Sequence, residues 1–150
     1  MKSYAFCPVS DKKVNESVSR INGIFTVLLL GVSGLTHSII PVIFLAIDFF
    51  LRSFDFSKYS LVAVSSRNIV SYLHLNESLI NAGPKIFAAR IGLILSSLII
   101  TFFFLHAYLP ALSVAGILGL FSFLEGAFGI CVACEIYPIV YRFFYKVRFQ

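Results

Sequence analysis

PKIFAARIGLILSSLIITFFFL, residues 84–105, decides the fold of this chain. Its charge is confined to the first turns, at Lys85 and Arg90, and no charged residue follows them within the stretch. About 20 predominantly apolar residues in one helix cross the hydrocarbon core of a bilayer. The stretch therefore predicts a transmembrane helix over its whole length.

The composition of the whole chain is typical of a membrane protein. Of its 150 residues, 59% are hydrophobic and 13% are charged, whereas a soluble domain carries about 25% charged residues. The mean hydropathy is +0.92. The formal net charge of +5 comes from basic residues that flank apolar runs, so a nucleic-acid partner is not expected. We predict one integral membrane domain, residues 1–150, in contact with the lipid bilayer.

Three further apolar segments, at about residues 16–36, 38–54 and 110–137, complete the predicted architecture. Asn15 is a candidate N-cap for the first, and Pro138 ends or kinks the last. The second is at the lower limit of the length needed to cross a membrane. The predicted fold class is all-α, a polytopic membrane protein with a four-transmembrane-helix bundle.

The distribution of basic residues predicts the orientation. The 12 Lys and Arg residues lie before the first span, between the second and third, after the fourth, or in the span turns that adjoin these segments. The two opposite connections, THS and HAYLP, carry none. Because cytoplasmic loops are enriched in Lys and Arg, both termini and the loop between the second and third spans are predicted to be cytoplasmic.

The cytoplasmic loop between the second and third spans is expected to contain a helix of its own. Its apolar residues recur loosely at helical spacing, at Leu61, Val62, Ile69, Tyr72 and Leu73. A helix with one apolar face and low overall hydrophobicity lies in the membrane interface. We therefore predict an interfacial helix in this loop.

Two of the three cysteines, Cys131 and Cys134, lie near the end of the fourth predicted span. At about 1.5 Å per residue, Cys131 is roughly 30 Å from Pro110, a full hydrocarbon thickness, so both thiols reach the cytoplasmic interface. Cys7, in the N-terminal segment, shares that side. A reducing compartment disfavours a permanent disulfide. Three interpretations remain open: small packing residues, a reactive dithiol, or a metal or cluster site that recruits Cys7.

The spacing of the cysteine pair allows a disulfide, but its expected place in a helix disfavours a reactive thiolate. Residues i and i+3 of a helix have Cβ atoms about 5–6 Å apart, slightly more than a disulfide needs, and Gly129 and Pro138 would permit the distortion. In thioredoxin-type motifs the CxxC opens a helix, whose positive dipole end stabilises the thiolate. Here the motif is expected near a helix end of the opposite sign, so positive charge must come from elsewhere.

Few charged residues lie inside the predicted spans, and we call five of them the charge belt: Arg20, Asp48, Arg52, Arg90 and Glu125. Counted from the outer ends, Arg20, Arg90 and Glu125 lie about 22–24 Å deep, and Asp48 lies roughly 15 Å down the short second span. One interpretation is that these charges pair and lock the bundle, for example Arg90 with Glu125 or Asp48. The other is that they line a cytoplasmic pocket that holds an anion or a thiolate near the cysteine pair.

Small residues at an interface let two membrane helices approach closely. The glycines of the first and fourth spans are therefore expected at packing faces. They are Gly31, Gly34, Gly116, Gly119, Gly126 and Gly129.

Four ordered motifs carry a family resemblance: CPVSDKKVNESVSRING (residues 7–23), AIDFFLR (46–52), GPKIFAARIG (83–92) and CVACEIY (131–137). Together they resemble a bacterial integral-membrane family catalogued as domain of unknown function 4395. The resemblance covers nearly the whole chain, implies a small protein of the bacterial inner membrane, and carries no established activity. The positions that match the pattern are Cys7, Asp48, Arg52, Pro84, Arg90, Cys131, Cys134 and Tyr137. Ala133 stands where glycine is expected in many members, which makes the turn stiffer.

Two classes of function follow from the sequence. The first is thiol–disulfide redox or sulfur handling, with Cys131 and Cys134 as the dithiol and Cys7 as a possible resolving or relay thiol. Its partner would be a soluble thioredoxin-like or sulfurtransferase protein. The second is a non-enzymatic assembly or stabilising subunit of a membrane complex or homo-oligomer, in which the charge belt and the cysteines only hold the bundle. No cofactor is identified by the sequence.

Overall fold

The computed structural model describes residues 13–54, 56, 58–75 and 78–148. Over these residues the protein is helical apart from one pair of short strands, so the all-α prediction is confirmed. The elements in chain order are β1 (Lys13–Asn15), α1 (Glu16–Thr36), α2 (Ile40–Ser53), α3 (Leu61–Tyr72), β2 (Leu79–Asn81), α4 (Ala82–Phe104), α5 (Tyr108–Phe128) and α6 (Val132–Arg148).

Three of the described helices, α1, α4 and α5, are long and apolar enough to cross a membrane. Their 21, 23 and 21 residues exceed the roughly 20 that a span requires. Helix α2 has 14 residues, which corresponds to about 21 Å of helix. That length is less than the hydrocarbon thickness of about 30 Å, so α2 alone does not meet the criterion for a span.

Helices α1, α2, α4 and α5 pack as a ring in which α2 contacts α4, α4 contacts α5, α5 contacts α1, and α1 contacts α2. The buried apolar core lies between them and includes Leu45, Phe49 and Leu118. Gly92 of α4 lies directly against the Phe49 ring, since a Cβ built on Gly92 would be 2.7 Å from that ring. The Phe49 ring of α2 thus packs directly on the α4 backbone, because Gly92 contributes no side chain of its own.

Helices α1 and α5 cross with their backbones in close contact at Gly23 and Gly126. A Cβ built on Gly23 would lie 2.7 Å from the carbonyl oxygen of Ser122 and 3.0 Å from the Gly126 nitrogen. The expectation of close packing is therefore correct at Gly126. It is wrong at three other glycines, which have no heavy atom within 4 Å of a built Cβ: Gly31, Gly34 and Gly116.

The start of α1 and the start of α4 lie side by side, and we call this end of the ring the polar end. Strands β1 and β2 pair antiparallel here, with Val14 opposite Ile80. Asn15 caps α1 as predicted, its side chain accepting a hydrogen bond of 3.0 Å from the Ser17 N–H. The Glu16 N–H bonds the carbonyl oxygen of Ser78 at 2.9 Å, which further ties α1 to the segment that enters α4.

Two short helices cover the polar end. Helix α3 packs on α1, and it lies in the loop for which the sequence predicts a helix. Helix α6 packs mainly on α4, where the ring of Tyr137 lies 5.4 Å from that of Phe87.

The predicted fourth span, residues 110–137, is not one helix. Helix α5 ends at Phe128, Gly129 adopts a left-handed conformation with φ of 69°, and α6 begins at Val132. Left-handed glycine is a common helix terminator because a residue with a Cβ is strained there. The cysteine pair therefore lies outside α5, at the start of a separate helix.

Candidate functional site

Cys131 and Cys134 form a disulfide that opens α6. Their Cα atoms are 5.1 Å apart, within the range of ordinary disulfides. Cys131 immediately precedes the helix, and its Sγ accepts a hydrogen bond of 3.3 Å from the Cys134 N–H. Cys131 is buried, with 9% of its surface exposed, whereas Cys134 is half-buried.

This placement overturns the expectation that the helix dipole opposes a thiolate. That expectation rested on a helix running through the motif to Tyr137, but after the break at Gly129 Cys131 immediately precedes α6 and Cys134 lies in its first turn. The free N–H groups and positive dipole end of a helix face its N-terminus. The helix dipole therefore no longer argues against a thiolate at this motif, which has the position that CxxC motifs of the thioredoxin type have in their helix.

The guanidinium of Arg20 lies against the backbone of Gly129, two residues before the disulfide. A Cβ built on Gly129 would be 2.5 Å from Nη2 and 2.7 Å from Cζ of Arg20. Glu16 holds this guanidinium with an ion pair of 2.8 Å. Arg20 of the charge belt therefore covers the turn that leads into the cysteine pair, although its side chain remains 47% exposed.

The charge belt residue Glu125 pairs with Lys85, and the predicted pairing with Arg90 is wrong. The Lys85 ammonium lies 2.9 Å from Oε1 of Glu125 and donates a 2.6 Å hydrogen bond to Oγ of Ser19, which in turn donates to Glu125. The side chains of Lys85 and Glu125 are 13% and 18% exposed. Arg90 is an exposed residue of α4. This cluster joins α1, α4 and α5.

The other buried charge of the belt, Asp48, lies between α2 and α3. Its Oδ1 accepts a hydrogen bond from Ser60, the N-cap of α3, and its Oδ2 is 3.7 Å from Nη1 of Arg52. Asp48 thus pairs within its own helix and not with Arg90. Ser66 of α3 donates to Oδ1 of Asn22 of α1, which connects the same helix to the bundle.

A cavity of about 50 Å³ joins these features. Cys131, Lys85, Glu125 and Arg52 all line it. The buried sulfur therefore faces the polar interior of the bundle, while the other side of the disulfide lies towards the surface at Cys134.

The third interpretation of the cysteines was a metal or cluster site that recruits Cys7. Among the described residues, no group of three or more His, Cys, Asp or Glu side chains is arranged to hold a metal ion. Cys7, the third thiol of the hypothesis, lies outside the described residues.

A family model described as "Domain of unknown function (DUF4395)" matches residues 14–142. The chain belongs to the DUF4395 family. The resemblance found in the sequence is confirmed, and the match extends from β1 into α6 and includes the cysteine pair of this DUF4395 protein. No curated protein and no solved structure matches the chain.

The sequence analysis did not identify the uncharged polar side chains that form hydrogen bonds between the helices of this DUF4395 protein. Ser19, Asn22, Ser60 and Ser66 are each at most 5% exposed and carry hydrogen bonds between helices. A polar residue in an apolar segment must find an internal partner, because lipid offers none. Because Ser19 and Asn22 lie in the first apolar segment, their positions in the sequence already indicated that each would need a hydrogen-bond partner inside the protein.

Proposed function

We propose that this DUF4395 protein is a membrane-embedded thiol–disulfide exchange protein in which Cys131 and Cys134 alternate between a disulfide and a dithiol. The observation that supports this is the position of the disulfide at the start of α6. A helix N-terminus stabilises the thiolate form of cysteine, which is the nucleophile and the leaving group in disulfide exchange. The partner is a soluble dithiol protein, thioredoxin-like or a sulfurtransferase.

The difference in burial between the two cysteines supports a different role for each. The thiolate of the partner attacks Sγ of Cys134, the more exposed sulfur, and the electron pair of the broken S–S bond moves to Cys131. The resulting Cys131 thiolate accepts the Cys134 N–H bond, and a stabilised thiolate is a good leaving group. The second thiol of the partner then attacks its own half of the mixed disulfide and releases Cys134. The partner supplies both electrons and both protons.

The roles can be separated with single variants. Cys131→Ser leaves only the less buried thiol of the pair, Cys134, which should attack a single-cysteine partner supplied as its mixed disulfide with thionitrobenzoate, release the thionitrobenzoate thiolate and accumulate as a protein–partner disulfide. Cys134→Ser leaves only the buried Cys131 thiol and should accumulate at least about tenfold less, because the partner has less access to it. Cys7→Ser tests the third thiol of the hypothesis, and its result should differ from wild type only if the N-terminal segment folds back onto the cysteine pair.

Maleimide labelling in native membranes measures the redox cycle itself. In wild type, mild oxidant should protect Cys131 and Cys134 together, and reductant should expose both. Either serine variant should abolish that joint protection. If the two thiols stay unreactive under all conditions in folded protein, the exchange function is wrong. The disulfide would then only secure the α5–α6 turn, as expected for an assembly or stabilising subunit.

We further propose that α1, α2, α4 and α5 form a four-span bundle in the bacterial inner membrane, with the polar end and both termini in the cytoplasm. The length and apolar character of α1, α4 and α5 support this, as does the clustering of Lys and Arg at one end. Helix α2 would cross with local thinning of the bilayer and with Arg52 extending towards the interface. A disulfide facing a reducing cytoplasm is transient, which agrees with a cycling pair.

Reporter fusions test this orientation. Fusions after Gln150 and within residues 56–80 are expected to report the cytoplasm, because the basic residues lie on that side. Fusions in the α1–α2 and α4–α5 connections serve as the matched controls and should report the periplasm. A periplasmic signal after Gln150 would reverse the placement of the cysteine pair.

A further inference from the structure

A second cavity at the polar end, of about 60 Å³, collects positive charge from three helices. Arg52 of α2, Arg67 of α3 and Lys85 of α4 line it, together with the uncharged polar groups of Ser19 and Asn22. Of the described residues that line this cavity, none is a carboxylate. Cations of three separate helices therefore line one concave space, with Arg67 exposed at its edge, while the carboxylates that pair with Lys85 and Arg52 lie outside the lining.

Arg52 reaches this cavity with hydrogen-bonding capacity that the described residues do not use. Its side chain is 15% exposed, and its nearest carboxylate oxygen is Oδ2 of Asp48 at 3.7 Å, beyond hydrogen-bond range. Its other contact is the face of the Phe49 ring at 5.6 Å. In the part of the chain that the structure describes, Oδ2 of Asp48 likewise has no hydrogen-bond donor. Because the guanidinium of Arg52 has no acceptor within hydrogen-bond distance among the described residues, its N–H groups are available to an oxyanion in the cavity.

Lys85 adds a second source of donors at the border of the two cavities. Its ammonium has three N–H groups, and the hydrogen bonds to Ser19 and Glu125 use two of them. Because Lys85 and Arg52 line both cavities, an acceptor bound between them would also lie near the buried side of the disulfide.

We propose that this cavity is a binding site for a small tetrahedral oxyanion, sulfate or phosphate in type, held by Arg52, Arg67 and Lys85. The planar guanidinium groups match two oxygens of such an anion at once, and the ammonium contributes a point charge. The space holds a few water molecules or one small anion of this kind. The site requires no thiol chemistry, so it stands or falls independently of the exchange function.

Binding is measured on the full-length protein in neutral detergent, with sulfate or phosphate titrated against chloride at constant ionic strength. The midpoint of thermal unfolding should rise saturably with the oxyanion in wild type, because a ligand of the native state stabilises it. Arg67→Gln and Arg52→Gln should each weaken the affinity by about tenfold or more. Arg142→Gln is the matched control, since Arg142 is an exposed residue of α6 that lines neither cavity.

Reconstitution distinguishes a free oxyanion from the phosphate of a lipid headgroup. In bilayers of phosphatidylcholine alone, the affinity for sulfate should equal that in detergent. If anionic lipid is the natural occupant, phosphatidylglycerol should compete and weaken sulfate binding in wild type but not in Arg67→Gln. The proposal is overturned if stabilisation by sulfate is not saturable, or if wild type, Arg67→Gln, Arg52→Gln and Arg142→Gln respond alike.

Discussion

Gly23→Leu is expected to lose most of its folded protein, whereas Gly31→Leu should fold as wild type does. A Cβ at position 23 would meet the carbonyl oxygen of Ser122 at 2.7 Å and the nitrogen of Gly126 at 3.0 Å. Both are backbone atoms, so the strain can be relieved only if α1 and α5 separate. Overpacking a core costs about 1–3 kcal/mol, and a clash with backbone belongs at or above the upper end of that range.

The control lies two turns along the same helix. Gly31 has no heavy atom within 4 Å of a built Cβ, so a leucine there gains the same helix propensity without a clash. The measurement is the fraction of monodisperse protein after detergent extraction, followed by the midpoint of thermal unfolding. Equal midpoints for the two variants would contradict the close α1–α5 crossing.

The two glycines also illustrate how far sequence reasoning reaches in this fold. Hydropathy and the Asn15 cap were sufficient to give α1 the bounds that the structure has, Glu16–Thr36. Glycine content alone could not identify the contact face, because glycine is frequent throughout membrane helices. Which glycine is buried depends on how α1 is rotated against α5, and that rotation is a property of the assembled ring.

The break before the cysteine pair was equally ambiguous in the sequence. Gly129 stands in an uninterrupted apolar run, where it reads either as a packing residue or as a helix C-cap. The structure uses it as a cap, and the Arg20 guanidinium fills the space where a side chain would lie. A single backbone conformation thereby moves Cys131 from the expected end of one helix to the beginning of the next.

The charge belt shows the limit of counting depth along a helix. Counting depth placed Arg90 of α4 level with Glu125 of α5. Lys85 and Arg90, however, are five residues apart in α4, so their side chains point about 140° away from each other. Lys85 is on the face of α4 that meets Glu125, and Arg90 is exposed. An ammonium on a flexible four-carbon chain also covers the axial difference of more than one helical turn.

Lys85→Met is therefore expected to destabilise the protein strongly, with Arg90→Met as the matched control. Both changes remove one cation from α4, but only Lys85 neutralises a carboxylate that is 18% exposed. Removing one partner of a buried ion pair costs about 3–5 kcal/mol, and the residual exposure of this pair places the expected loss at about 2–4 kcal/mol. The midpoint of thermal unfolding in detergent measures it, and Arg90→Met should remain close to wild type.

The double variant Lys85→Met/Glu125→Met distinguishes a lost attraction from an uncompensated charge. If the main penalty of Lys85→Met is the carboxylate left without its cation, removing that carboxylate as well should recover most of the lost stability. In wild type the Ser19 hydroxyl donates a hydrogen bond to the Glu125 carboxylate, and the double variant removes this charged acceptor. The recovery of stability should therefore be incomplete. A double variant no more stable than Lys85→Met, or an Arg90→Met variant equally destabilised, would show that the Lys85–Glu125 pair does not hold α4 and α5 together.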